Sequence, residues 1–159
     1  MSRNLVAYFS ASGSTEKLAG TLAAAADAGL YRILPAVPYE KKDLNWMDKK
    51  SRSTLEMQDK NCRPALAGHD APVAEADVIF LGFPIWWYRE PSLIDSFLDA
   101  YDFSGKTVVP FFTSGGSQLG EGQGRIGKLA RGAKVLSGKR FNARASESEL
   151  KTWADSLNV

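Results

Sequence analysis

VAYFSASGST, from Val6 to Thr15, joins an apolar run of strand character, Leu5 to Phe9, to a loop of small and hydroxyl residues. After it, Leu18, Ala19, Leu22, Ala23 and Ala26 recur at helical spacing, so the stretch reads as strand, tight loop and helix. A loop so placed opens onto the first turn of a helix, where unpaired N–H groups and the positive end of the macrodipole favour an anion. Ser10, Ser12, Ser14 and Thr15 add hydroxyls, and Gly13 lets the backbone bend and approach a ligand closely. No Lys or Arg occurs in the loop before Lys17, so a single phosphomonoester suits it better than a triphosphate with its metal ion. The loop has neither G-x-x-x-x-G-K-[ST] nor G-x-G-x-x-G. Capping of the helix accounts for one hydroxyl but not for four.

The chain has 159 residues, 44% hydrophobic and 24% charged, the composition of one globular domain that buries roughly two thirds of its unfolded surface. Cys62 stands alone, which excludes an internal disulfide and fits a reducing compartment. With His69 the only histidine, soft ligands are too few for zinc, and no metal is expected. The N-terminus runs into a strand without a basic region and cleavage site, and no apolar run is long enough to span a bilayer. A cytoplasmic protein with no membrane partner is therefore expected. A net charge of +2 does not call for nucleic acid. Arg125 to Arg144 carries Lys128, Arg131, Lys134, Lys139 and Arg140 with no acidic residue, which reads as a solvated face or as a docking patch for an acidic partner.

Further along, Leu30 to Leu34 reads as a second strand closed by Pro35. Residues 35 to 75 are irregular, with one helix expected within Leu44 to Lys60, capped by Asp43 or Asn45, and with Trp46 and Met47 read as packing residues. Val78 to Phe83 is a continuous apolar run that suits a central parallel strand. The loop after it, Pro84, Ile85, Trp86, Trp87, Tyr88, Arg89 and Glu90, carries three adjacent aromatics, unusual for a connection. Pro91 then opens a helix with Leu93, Ile94, Phe97, Leu98 and Tyr101 on its apolar face. Thr107 to Phe112 is a fourth strand whose Pro110 must lie where its missing N–H is not needed. Thr113, Ser114, Gly115, Gly116 and Ser117 make a second glycine and hydroxyl loop. Gly120 to Gly132 is glycine-rich for a helix, Lys134 to Leu136 suits an edge strand, and Ser146 opens a closing helix with Leu150, Trp153 and Leu157 inward.

Strands thus alternate with helices, which argues for a three-layer α/β/α sandwich around a five-stranded parallel sheet. In such a sheet ligands bind beyond the carboxyl ends of the strands. The three loops all follow strands and should converge there, offering an anion site, aromatic faces and polar backbone. A ligand with one phosphate and a large planar heterocycle would use all three, and flavin mononucleotide (FMN) is such a ligand.

YFSASGST, GFPIWW and DFSGKTVVPFFTSGGS, in that order, resemble the flavodoxin family, in particular its short flavodoxin-like bacterial members. The resemblance covers nearly the whole chain and implies strand order 2-1-3-4-5 with FMN at the switch point. It implies that Ser10, Ser12, Gly13, Ser14 and Thr15 hold the phosphate. Pro84, Ile85, Trp86, Trp87 and Tyr88 would flank the flavin, one aromatic stacking on it, and Thr113, Ser114, Gly115, Gly116 and Ser117 would line its pyrimidine side. Relatives have Thr-Gly-Asn-Thr where this chain has Ser12-Gly13-Ser14-Thr15, which keeps the donors. Relatives often have glycine where this chain has Tyr88, and a peptide flip there is about 1 kcal/mol easier with glycine, so support for a half-reduced flavin should be weaker.

The expected function is that of an FMN-binding redox protein. It would serve either as an electron shuttle docking on a partner protein or as an oxidoreductase taking electrons from NAD(P)H to a quinone or similar small acceptor. Shuttle flavodoxins are typically acidic, and the isoelectric point near 8.7 leans toward the enzyme. The other class is an interaction module that keeps the fold without flavin. An aromatic loop and a basic strip are compatible with a homodimer. Cys62 has no nucleophile logic around it and reads as an ordinary, partly buried thiol.

Overall fold

The computed structural model describes residues 3–114 and 116–159. Five parallel strand positions form the sheet: β1 (Asn4–Tyr8), β2 (Gly29–Arg32), β3 (Val78–Pro84), β4 (Thr107–Thr113) and an edge made of β5 (Lys134–Val135) and β6 (Lys139–Arg140). The order is β2-β1-β3-β4-β5, with β6 also on β4, and every pairing is parallel. β3 lies between β1 and β4, and all of Val78 to Phe83 is buried, as a run without alternation requires. Side-chain alternation still sorts the two faces. Leu5, Ala7, Ile79, Leu81, Phe83, Val108 and Phe112 pack against α3 (Ser92–Ala100) and α4 (Gly122–Leu129). Val6, Tyr8, Phe80, Val109 and Phe111 pack against α1 (Ser14–Ala25) and α5 (Glu147–Ser156). Ser146 caps α5 by accepting the Glu149 N–H at 3.1 Å.

Pro110 explains the broken edge. It is paired with Leu81 of β3 on one side, while on the other it falls between the Val108–Val135 and Phe111–Lys139 pairs, where β5 has ended and β6 has not begun. The Gln123 amide bridges that gap, donating to the Leu136 carbonyl at 2.9 Å and accepting the Gly138 N–H at 2.8 Å. The sequence shows only one edge strand here because its second half is two residues long.

Of the helix expected within Leu44 to Lys60 only a short α2 at Arg52–Gln58 forms, capped by Ser51 and not by Asp43 or Asn45, with a 3₁₀ turn at Lys41–Leu44 before it. Asn45 and Asp48 each accept a backbone N–H two residues on, from Met47 at 3.2 Å and Lys50 at 2.9 Å. These local bonds compete with helical ones and break the run. α4, conversely, forms despite its glycines. Among the described residues no helix is long and apolar enough to cross a membrane.

Candidate functional site

The first loop meets α1 at Gly13, whose φ of +94° glycine takes without strain. Among the described residues no side chain caps this helix. The Ser10 hydroxyl accepts the Gly13 N–H at 3.1 Å, and the Thr15 hydroxyl pairs with that of Thr113 at 2.8 Å in a buried contact. Two of the four hydroxyls are thus braces, and Thr15 ties the first loop to the third. Ser12 and Ser14 are exposed beside the uncapped first turn. That end of α1 offers unpaired N–H donors, partial positive charge and free hydroxyls to an anion.

The second loop is a tight turn. Trp86 and Arg89 exchange both backbone hydrogen bonds, at 3.0 and 3.1 Å, and between them Trp87 and Tyr88 stand at φ of +47° and +65°. Left-handed backbone at bulky residues costs about 1–3 kcal/mol each and persists only where surrounding structure enforces it. The ring of Trp86 is wedged edge-on against Phe9 and Tyr39, with centroids 5.5 Å away in both cases. Trp87 and Tyr88 point outward, Tyr88 being 71% exposed.

What enforces the turn lies beneath it. Arg89 and Glu90 are fully buried, as is Asp95 in α3. The Arg89 guanidinium donates to the Glu90 carbonyl at 3.0 Å and the Met57 carbonyl at 3.2 Å, and lies 3.5 Å from an Asp95 oxygen. Arg125, from α4, bonds Glu90 at 3.1 Å and Asp95 at 2.6 Å. Among the described residues, one oxygen of each carboxyl accepts no N–H or hydroxyl donor. Burial, then the hydrogen bond and repulsion from Asp95, push the Glu90 carboxyl up to about 8.

The bend before α4 and the first residue of that helix press on the same turn. A Cβ on Gly120, itself at φ +57°, would sit 2.9 Å from the Tyr88 carbonyl oxygen, and one on Gly122 would sit 2.8 Å from the Glu90 carboxyl. These two glycines, just before α4 and at its first residue, serve close approach, whereas Gly124 and Gly127 within the helix face open space.

The third loop is braced by its own hydroxyl, with Ser114 donating to the Ser117 carbonyl at 2.6 Å and accepting the Gly116 N–H at 3.2 Å. Arg140 clamps it from the edge strand, donating to the Ser114 carbonyl at 2.9 Å and its hydroxyl at 3.2 Å. Gly115 lies outside the described residues.

The three loops meet at one end of the sheet around two neighbouring cavities. One, of about 370 Å³, is lined by Ser12, Ser14, Pro84, Thr113 and Arg140 among others. The second, of about 840 Å³, takes in Ser12, Pro84 to Tyr88 and Ser117. Sequence reasoning missed Arg140, Arg125, Glu90 and Tyr39, none of which sits in a motif of its own. The basic strip is thus more than a solvated face, since Arg125 and Arg140 are spent on the site. Trp46 and Met47 are not packing residues: they are 69% and 74% exposed, and Trp46 lines the larger cavity. Cys62 is partly buried, and burial raises its thiol, leaving it a poor nucleophile.

The flavodoxin family model matches residues 3–157. A crystal structure from Bacteroides eggerthii, of a protein classed as a flavoprotein, is 41% identical over 100% of this chain and 99% of its own, with a TM-score of 0.93. One from Bacteroides uniformis, classed likewise, is 42% identical over 97% and 98%, with a TM-score of 0.91. A Lactobacillus acidophilus flavoprotein solved in complex with FMN is 22% identical over 97% and 99%, with a TM-score of 0.71. No curated protein matches the chain.

Proposed function

Because the chain belongs to the flavodoxin family, we propose that it binds FMN and works as an NAD(P)H-dependent reductase of a quinone or similar small acceptor. One observation carries the reading. The uncapped first turn of α1, with Ser12 and Ser14 free, opens at the same end of the sheet as a roomy cavity walled by aromatics. The FMN complex of the Lactobacillus relative supports the choice of ligand.

The residues present fit that group. The N–H groups of the first turn and the hydroxyls of Ser12 and Ser14 would hold the phosphate, while Ser10 and Thr15 keep the loop in shape. Arg140 adds a positive charge to the cavity that Ser12 and Ser14 line, softening the expectation of a site without a cation. Pro84, Ile85 and the aromatic turn would cover the ring, with Trp87 or Tyr88 free to stack, since Trp86 is already packed edge-on against Phe9 and Tyr39. Thr113, Ser114, Gly116 and Ser117 would meet the polar ring edge, held in place by Arg140.

When bound, FMN supplies two-electron chemistry, and the overall reaction, NAD(P)H plus quinone plus a solvent proton giving NAD(P)⁺ plus hydroquinone, is balanced. The protein's share is to orient the ring and exclude water from it. We place the protein in the cytoplasm, as one domain.

The test is a titration of purified protein with FMN, read by visible absorbance and thermal melting, followed by NADPH oxidation with a quinone present. FMN should saturate and add about 2.7 kcal/mol of stability at a hundredfold excess over Kd. A colourless protein whose melting ignores FMN would overturn the reading, and turnover no faster than free FMN would remove the enzyme.

A further inference from the structure

The larger cavity is wider than its three loops explain. At about 840 Å³ it lies toward the upper end of the ~300–1,000 Å³ that ligand sites occupy, leaving room beyond one tricyclic ring. The rest of its lining is Leu44, Trp46 and Ser53, from the segment joining β2 to β3. No described lining residue carries a charge.

That segment is an ordered arm. Glu40 and Asp43 form a reciprocal cap at its 3₁₀ turn. Asn45 and Asp48 close their own turns, and the Thr54 hydroxyl donates to the Asp48 carbonyl at 2.9 Å. On the near side Tyr39 packs on Phe9 and Trp86, its hydroxyl donating to Glu56, with the Arg52 guanidinium 3.9 Å from its ring centre. An arm so pinned presents an indole that is 69% exposed and makes no aromatic pair among the described residues. Exposing a ring on a rigid mount is unfavourable unless something apolar covers it. Lys41, Lys42, Lys49 and Lys50 are exposed on the same arm, but none lines the cavity.

We propose that Trp46 is the recognition residue for the electron acceptor, an uncharged planar quinone that lies in the cavity against the indole. The assignment rests on the FMN reading and names the substrate class for that site. An uncharged lining desolvates no ion, so it takes a neutral ring in preference to an anionic one.

The experiment is a binding titration of FMN-loaded, oxidised protein with no reductant present, read by the flavin difference spectrum. The probe is 2,3-dimethyl-1,4-naphthoquinone, whose substituted ring cannot alkylate Cys62. Trp46→Ala should weaken its binding about tenfold, the scale of one lost ring stack, and Trp46→Phe should restore most of it. FMN affinity of the alanine variant should stay within about twofold, and anthraquinone-2-sulfonate should bind wild type less tightly than the neutral quinone. Unchanged quinone affinity in Trp46→Ala would overturn the proposal. So would a parallel loss of FMN affinity, tighter binding of the sulfonate, or a dimer that falls apart in the variant on sedimentation. Wild type that takes FMN but no quinone removes this assignment alone, and wild type that takes no FMN removes the reading beneath it as well.

Discussion

Between Ser10 and Thr15 the chain bends through one glycine, and two short hydroxyl contacts keep the bend. Between Trp86 and Arg89 it bends through two bulky residues in left-handed backbone, and two arginines with two buried carboxyls keep that one. The loops border the same cavities, so the difference follows from what each must present. Hydrogen-bond donors are carried by small residues that bend freely. Aromatic faces need bulky residues, whose left-handed conformation has to be imposed from below.

The comparison breaks most visibly at Arg125. Its removal leaves Glu90 and Asp95, among the described residues, with Arg89 and, for Asp95, Arg63 at 3.7 Å. Arg125→Met should lower unfolding stability in urea by about 3 kcal/mol, the low end for losing one partner of a buried ion pair, because Glu90 already holds a proton at neutral pH and Asp95 alone is left short of a partner. Ser10→Ala should lose about 1 kcal/mol, the worth of one hydrogen bond. Equal losses would mean that the turn needs no buried lattice.

Glu90 sharpens the contrast through pH. In the unfolded chain a glutamate carboxyl titrates near 4.5, against about 8 here. Between those values the folded protein holds a proton that the unfolded chain has released, so this group makes stability fall as pH rises from about 5 to 8 and level off above. Glu90→Gln keeps an acceptor for Arg125 and has no proton to lose. Urea melts at pH 5 and pH 8 should differ less for the variant than for wild type; the same difference in both would show that Glu90 is not the titrating group.

A third test strikes the turn from the bend that leads into α4. Gly120→Ala puts a Cβ against the Tyr88 carbonyl and forces a left-handed alanine, so it should lose about 1–3 kcal/mol. Gly124→Ala, inside α4 and in open space, should lose nothing and gain helix propensity.

How much of this was legible beforehand follows the same division. The strands and the convergence of the loops could be read because each rests on local pattern: hydrophobic runs, a hydroxyl-rich bend, three adjacent aromatics; the order of the strands came only from the resemblance to flavodoxins. Arg125 could not, because its charges are met 30 and 35 residues earlier by Asp95 and Glu90. Burial turns those three from surface residues into a lattice, and burial is a property of the fold. Trp46 misled in the opposite sense. A large apolar side chain usually covers core, and what overrode that rule was the pair of side-chain turns at Asn45 and Asp48, which stop a helix from carrying the indole inward.

The smallest expected effect tests strain alone. Tyr88 is 71% exposed, so little packing is lost when its ring is removed, and its φ of +65° is one glycine adopts freely. Tyr88→Gly should relieve about 1–2 kcal/mol of backbone strain and give back part of it as the greater freedom of glycine in the unfolded chain. The net is a gain of about 0.5–1 kcal/mol in the ligand-free protein, measurable as a higher urea midpoint at unchanged slope. The same variant should bind FMN less tightly, because the turn would no longer be fixed in the shape that presents its rings. Stability and affinity moving in opposite directions is the signature of strain held for binding. If both fell together, Tyr88 would be an ordinary packing residue, and the buried charges beneath it would be supporting the fold and not the turn.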